Sequence, residues 1–240
     1  MTTRRLFSCM VAAGPATLIA SPQLGKIFEK WSGKGTTLSD SRIAEGLKEA
    51  LKIGAGNAVN LTSQKDGFLL NQAIKILLPE PLQKAEKAMR LVGMGKKLDE
   101  LVVGMNRAAE AATPFAKQIF MDAIMSMTFA DAKALLKGSD TAVTDFFKEK
   151  TTTQLTELFR PPVVKVMGEV GLTKQWNSLF ATVKKMKFLK ADSIDLEGYV
   201  VTKSLSGLFH VLGQEETKIR KDPAARVTTV LKDVFGAKLP

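Results

Sequence analysis

An all-α fold is what this sequence predicts, and three features carry the prediction. Apolar residues recur at three- and four-residue spacing along most of the chain, as the buried face of a helix requires. Glycine, proline and short polar residues stand where those periodic stretches begin and end. Sustained one-in-two alternation, the mark of a half-buried strand, is nearly absent. The 240 residues, 45% hydrophobic and 25% charged, suffice for one good-sized core, so the expectation is a single domain over 38–240 with about eight to ten helices.

Taken in order, Ser39 and Asp40 are capping residues before Ile43, Leu47, Leu51, Ala55 and Ala58, which share one helix face. A looser stretch, Asp66-Gly67-Phe68-Leu69, leads to the apolar run Ile74 to Leu78. Pro81 suits a first turn, Leu82, Ala85, Met89 and Val92 form the next apolar face, and Gly93 is its stop. Leu98, Leu101, Val102, Met105 and Ala109 define a third helix. Thr113-Pro114 reads as an N-cap and first-turn pair ahead of Ile119, Phe120, Ala123 and Ile124. Thr128 to Asp131 approximates a capping box for a short helix ended by Gly138. Asp140 opens a helix with Val143, Phe146 and Phe147, and Pro161-Pro162 is expected to break it and start another that ends at Gly171. Trp176, Leu179, Phe180 and Val183 face the core from the next helix, before the basic, loop-like stretch Lys184 to Lys190. Asp195 caps a long helix with Tyr199, Leu205, Leu208, Phe209 and Leu212; Asp222-Pro223 opens a final one ending at Gly236. No repeat of fixed period stands out, which argues against a solenoid.

The N-terminal residues differ in kind. Arg4 and Arg5 precede an apolar stretch, Leu6 to Ala20, with small residues at its end and no acidic residue before Glu29. These are the parts of a cleavable targeting signal over 1–21, followed by a linker over 22–37. Thr3-Arg4-Arg5-Leu6-Phe7-Ser8 resembles a twin-arginine export signal, which points to a periplasmic or otherwise exported protein. A mitochondrial or other organelle transit peptide and an uncleaved N-terminal helix are the alternatives. Only three residues separate Arg5 from Cys9, the one cysteine, so lipidation there is not expected. No transmembrane helix is expected in the mature chain, since no later apolar run reaches even that length.

Several strings in order carry a resemblance: Asp66 to Leu69, Met105 to Glu110, Ile119 to Ile124, Met127 to Ala132 and Ile219 to Arg226. With them, Leu38 to Gly236 resembles the domain of unknown function 4197 family, found mainly in bacteria. The resemblance implies an exported helical protein and supplies no catalytic residues.

A search for chemistry finds little. His210 is the lone histidine and stands beside Phe209 and Val211; a multi-histidine metal site is excluded, no other donors stand nearby for a Ser-His-acid set, and no metal site and no cofactor are expected. Gly93-Met94-Gly95-Lys96-Lys97 lacks the upstream glycine and the Ser/Thr of a phosphate loop and reads as a helix stop followed by a helix start. One polar constellation stands out. Asn106, Arg107 and Glu110 share a helix side by their three- and four-residue spacing, with Asp122 and Asp131 on following helices. An ion-pair network between helices is one reading of this group; a ligand site is the other.

The charge is +11, or +9 without Arg4 and Arg5. Basic residues cluster at Lys84, Lys87, Arg90, Lys96 and Lys97, and again at Lys184, Lys185, Lys187 and Lys190. Solvated faces and attraction to an anionic membrane surface both fit such clusters; no nucleic-acid module is present and no nucleic acid is expected. The functional expectation is a non-enzymatic envelope protein that binds a partner protein, a lipid or another anionic ligand. The alternative is an enzyme centred on Arg107, Glu110 and Asp122.

Overall fold

Eight α-helices and one 3-10 turn, with no strand, make up the regular structure among the described residues, which in a computed structural model are 40–185 and 194–222 with positions 228 and 232. The helices are α1 (Asp40–Ser63), α2 (Glu80–Leu91), α3 (Gly95–Ala112), α4 (Ala116–Ser126), α5 (Phe129–Lys137), α6 (Ala142–Glu169), α7 (Leu172–Lys184) and α8 (Leu196–Lys221). The all-α expectation holds. The targeting signal and linker expected over 1–37, the expected cap at Ser39, the helix expected after Pro223, and Lys187 and Lys190 lie outside the described residues.

The helices pack through the faces that their spacing defines. Leu47, Leu51, Ala55 and Ala58 of α1 are buried, as are Leu82, Ala85 and Met89 of α2 and Trp176, Leu179, Phe180 and Val183 of α7. The most extensive helix pair is α6 with α8, followed by α1 on α8 and α3 on α6. Phe120 of α4 joins α6 and α8, its ring centroid 4.9 Å from that of Phe147 and 6.1 Å from that of Phe209. Gly104 lets α7 approach α3, since a Cβ there would collide with the Leu172 side chain.

Helix ends follow local chemistry. Thr128 and Asp131 form a true capping box for α5, and Asp195 Oδ1 accepts from the Gly198 amide at the start of α8. Gly93, at φ 82°, closes α2 in a Schellman motif: the Met94 amide donates to Met89 O at 2.9 Å and the Gly93 amide to Arg90 O at 3.1 Å.

Three expectations need correcting. Thr113 is no N-cap: it has helical dihedrals, its hydroxyl donates to Ala109 O, and Thr113–Phe115 is a 3-10 turn between α3 and α4. Val92 does not join the buried face of α2 but is 67% exposed, because the chain has already left the helix at Leu91.

Pro161-Pro162 does not break the chain either: α6 runs through both. The prolines leave the Glu157 and Leu158 carbonyls without helix donors, but both residues are exposed and water can satisfy them. On the other side Val143, Phe147, Thr151, Leu155, Phe159, Val163 and Met167 are all buried, one every fourth residue. Each step of four turns through about 400°, so this buried line winds about 40° per step and carries α6 across successive neighbours.

Candidate functional site

Residues 64–79, between α1 and α2, contain no helix, so their backbone groups need partners from elsewhere. One side of α3 supplies them. Asn106 is fully buried; its Oδ1 accepts from the Ile76 amide at 2.9 Å and its Nδ2 donates to Ile76 O at 2.9 Å and to Val102 O at 2.7 Å. The amide group thus pairs with Ile76 as a neighbouring strand would. Glu110, 4% exposed, accepts at Oε1 from the amides of Phe68 at 3.1 Å and Leu69 at 3.3 Å.

Arg107 completes the clamp, donating from Nη1 to Glu110 Oε2 and from Nη2 to Asp66 Oδ1, each at 2.6 Å. The Glu110 carboxylate, with Asp66 second, holds the Arg107 pKa above its ordinary value. The loop is shaped to meet it. Asp66 takes a φ of 72°, and a Cβ on Gly67 would collide with Leu61 O. Phe68 is fully buried, and a Cβ on Gly207 of α8 would lie 2.5 Å from its Cε1.

Asp122 and Asp131 take no part in the clamp. Asp122 accepts from Gln118 at 2.8 Å, while Asp131 is the capping partner of Thr128, whose hydroxyl and amide hold its pKa below the usual range. Both line a separate pocket of about 510 Å³ with Ser126, Lys150 and Gln154. The partner that spacing on α3 could not reveal is Asp66, 41 positions upstream of Arg107. Its signal was the Asp66-Gly67 pair, a sequence suited to a left-handed turn.

Arg107 also borders a groove of about 640 Å³ walled by α3, the start of α7 and Arg90 of α2. Its charges are mostly matched: Arg90 pairs with Asp99 at 2.5 Å and Lys96 with Glu100 at 3.8 Å.

A second buried carboxylate was not foreseen. Glu216 of α8 accepts from the Val143 and Thr144 amides at 3.0 and 2.9 Å, capping the start of α6. Arg220, one turn on, donates to Glu216 and to Leu135 O at 2.8 Å and Leu136 O at 3.3 Å, covering the end of α5. This one pair serves two helix termini.

Lys184 stands over the Phe180 ring at 5.2 Å and Lys185 is exposed just beyond α7. His210 is exposed beside Gln214. Among the described residues no group of three or more His, Cys, Asp or Glu could hold a metal ion, and no helix is long and apolar enough to cross a membrane.

Neither a curated protein nor a solved structure matches the chain. The family described as Protein of unknown function (DUF4197) matches residues 37–236. The strings that carried the resemblance now have physical roles: Asp66–Leu69 and Asn106–Glu110 face each other in the clamp, Thr128–Asp131 is a cap, and Arg220 joins two helix ends. Over five-sixths of its length, then, the chain belongs to the DUF4197 family.

Proposed function

We propose that this is a non-enzymatic, exported binding protein whose helical body presents its surface to a partner protein, a lipid or another anionic ligand. The observation that carries the reading is the closure of the Asn106–Arg107–Glu110 group. Asn106 and Glu110 are buried, and their polar atoms are committed to the backbone of the 64–79 loop and to Arg107. Groups so committed hold a fold together, and Asn106 and Glu110 could turn to a substrate only by giving up bonds to the loop backbone. Asp122, the third member of the enzymatic alternative, lines a different pocket. That alternative draws on the groove beside Arg107, yet both terminal nitrogens of the guanidinium are already paired. Export is supported by Arg4, Arg5 and the apolar stretch after them.

The test is an intact-mass measurement with a lipid and metabolite inventory of protein taken from its native compartment. A chain starting near Ser21 to Gln23 with a bound lipid, anionic metabolite or partner protein is expected. A full-length cytoplasmic protein would remove export from the proposal. Turnover of a metabolite that Arg107→Met abolishes without lowering the melting temperature would replace binding by catalysis.

A further inference from the structure

We infer that the α2–α3 turn is a docking element for an anionic lipid bilayer, with Leu91 and Val92 entering the apolar phase and a lysine collar meeting the headgroups. The inference rests on the binding-protein reading and names its partner.

The inner side of α2 is Leu82, Ala85 and Met89, all buried. At about 100° per residue, Lys84, Lys87 and Leu91 fall within about 60° of one another on the opposite side. That outer side begins with Lys84 paired to Glu80, continues with Lys87 and is apolar at its tip. Leu91 is 82% exposed and Val92, the next residue, 67%. Two adjacent large apolar side chains at the crest of a turn are left in water, although the same turn buries Met89 beneath them.

The turn is rigid. Its Schellman closure is reinforced by Arg90, which pairs with Glu86 at 2.8 Å and with Asp99 of α3 at 2.5 Å. In this closed turn Leu91 and Val92 face outward.

Charge identifies the partner. From Glu80 to Glu100 five cations stand against four carboxylates, Glu80, Glu86, Asp99 and Glu100, and the cations left over flank the turn. Lys87 and Lys97 pair with no carboxylate among the described residues. Lys96 and Lys97 also occupy the first turn of α3, which has no acidic residue and no side-chain cap. Cations at the positive end of a helix dipole are locally unfavourable, and an anionic surface relieves that repulsion. A convex two-residue tip is far smaller than the roughly 800 Å² that a stable protein interface needs from each partner. A bilayer demands no shape complementarity: its fluid interior accepts the tip while its headgroups take the collar.

The experiment is vesicle sedimentation of the full chain with phosphatidylcholine alone and with about one-third phosphatidylglycerol, together with fluorescence of the Val92→Trp variant against brominated lipids. Binding that requires the anionic lipid and weakens between about 50 and about 200 mM salt is expected. Leu91→Ser with Val92→Ser, and separately Lys87→Gln with Lys97→Gln, should each weaken it about tenfold or more at unchanged thermal stability. Brominated lipid should quench the Val92→Trp variant more strongly than the wild-type protein, whose tryptophans are Trp31 and Trp176. Quenching no greater than in the wild type, equal binding to neutral vesicles, or binding lost only in Lys184→Gln with Lys185→Gln would overturn the assignment to this turn. Turn variants that keep vesicle binding but release a co-purified protein would make it a protein-docking element. No vesicle binding at all would end the lipid assignment, leaving the wider binding reading to stand or fall on the native inventory.

Discussion

At the scale of single residues, the clamp is where polar groups bear on stability. Arg107→Met removes the guanidinium from a buried Glu110 and should destabilise the fold by about 2–4 kcal/mol. Glu110→Gln keeps an oxygen for the Phe68 and Leu69 amides but sets an NH2 donor against the Arg107 guanidinium, an expected loss of about 1–3 kcal/mol. The double variant should lose less than the sum, since each single change already removes the same pair. Urea midpoints of the four proteins measure this, and unchanged midpoints in both single variants would return the group to candidacy as a ligand site. Asn106→Leu is a separate case: Ile76 loses both backbone partners, and about 3 kcal/mol should go with them. Spacing alone showed that Asn106, Arg107 and Glu110 share a side of α3. It could not show their partners, because those are backbone groups and Asp66 in a loop, where no periodicity marks which groups will need a bond. Asp122 and Asp131 were associated with them only by proximity along the chain, and the structure gives each a local partner instead.

At the scale of elements, most helices were legible because caps and apolar spacing coincide, as at Thr128–Asp131 and at Asp195. The failures share a cause: tertiary packing outweighs local signals. Pro161-Pro162 should end a helix standing alone, but Leu155, Phe159, Val163 and Met167 bury one continuous line across the prolines. An interior proline costs about 3 kcal/mol in the helix and returns about 1 kcal/mol by stiffening the unfolded chain. Pro161→Ala is therefore expected to stabilise the protein by about 1–2 kcal/mol, seen as a raised thermal midpoint. A lowered midpoint would mean that α6 depends on the prolines for its path. Gly207→Ala should act the other way, by about 1–3 kcal/mol, since the added Cβ meets Phe68 Cε1 and Ile74.

At the scale of the whole molecule, four carboxylates among the described residues are held low and contribute to the acid response: Glu80 by Lys84, and the aspartates Asp131 by Thr128, Asp195 by the Gly198 amide and then Arg160, and Asp99 by Arg90. A folded-state value below the unfolded one, about 3.9 for an aspartate, means that the unfolded chain binds more protons as the pH falls. The stabilisation is complete above about pH 5 and is lost as the pH drops through the folded values. Urea midpoints should be flat from this source between about pH 7 and 5, then fall below about pH 4, with a shallower fall in Asp131→Asn and Asp195→Asn. The Glu216–Arg220 pair has a further consequence, one of time. The start of α6 waits for a cap made 73 residues later. At about 5–20 residues per second, a ribosome completes Val143 some 4–15 s before it adds Glu216. For that interval the nascent corner between α5 and α6 stands open, and a chain released before Leu196 never closes it.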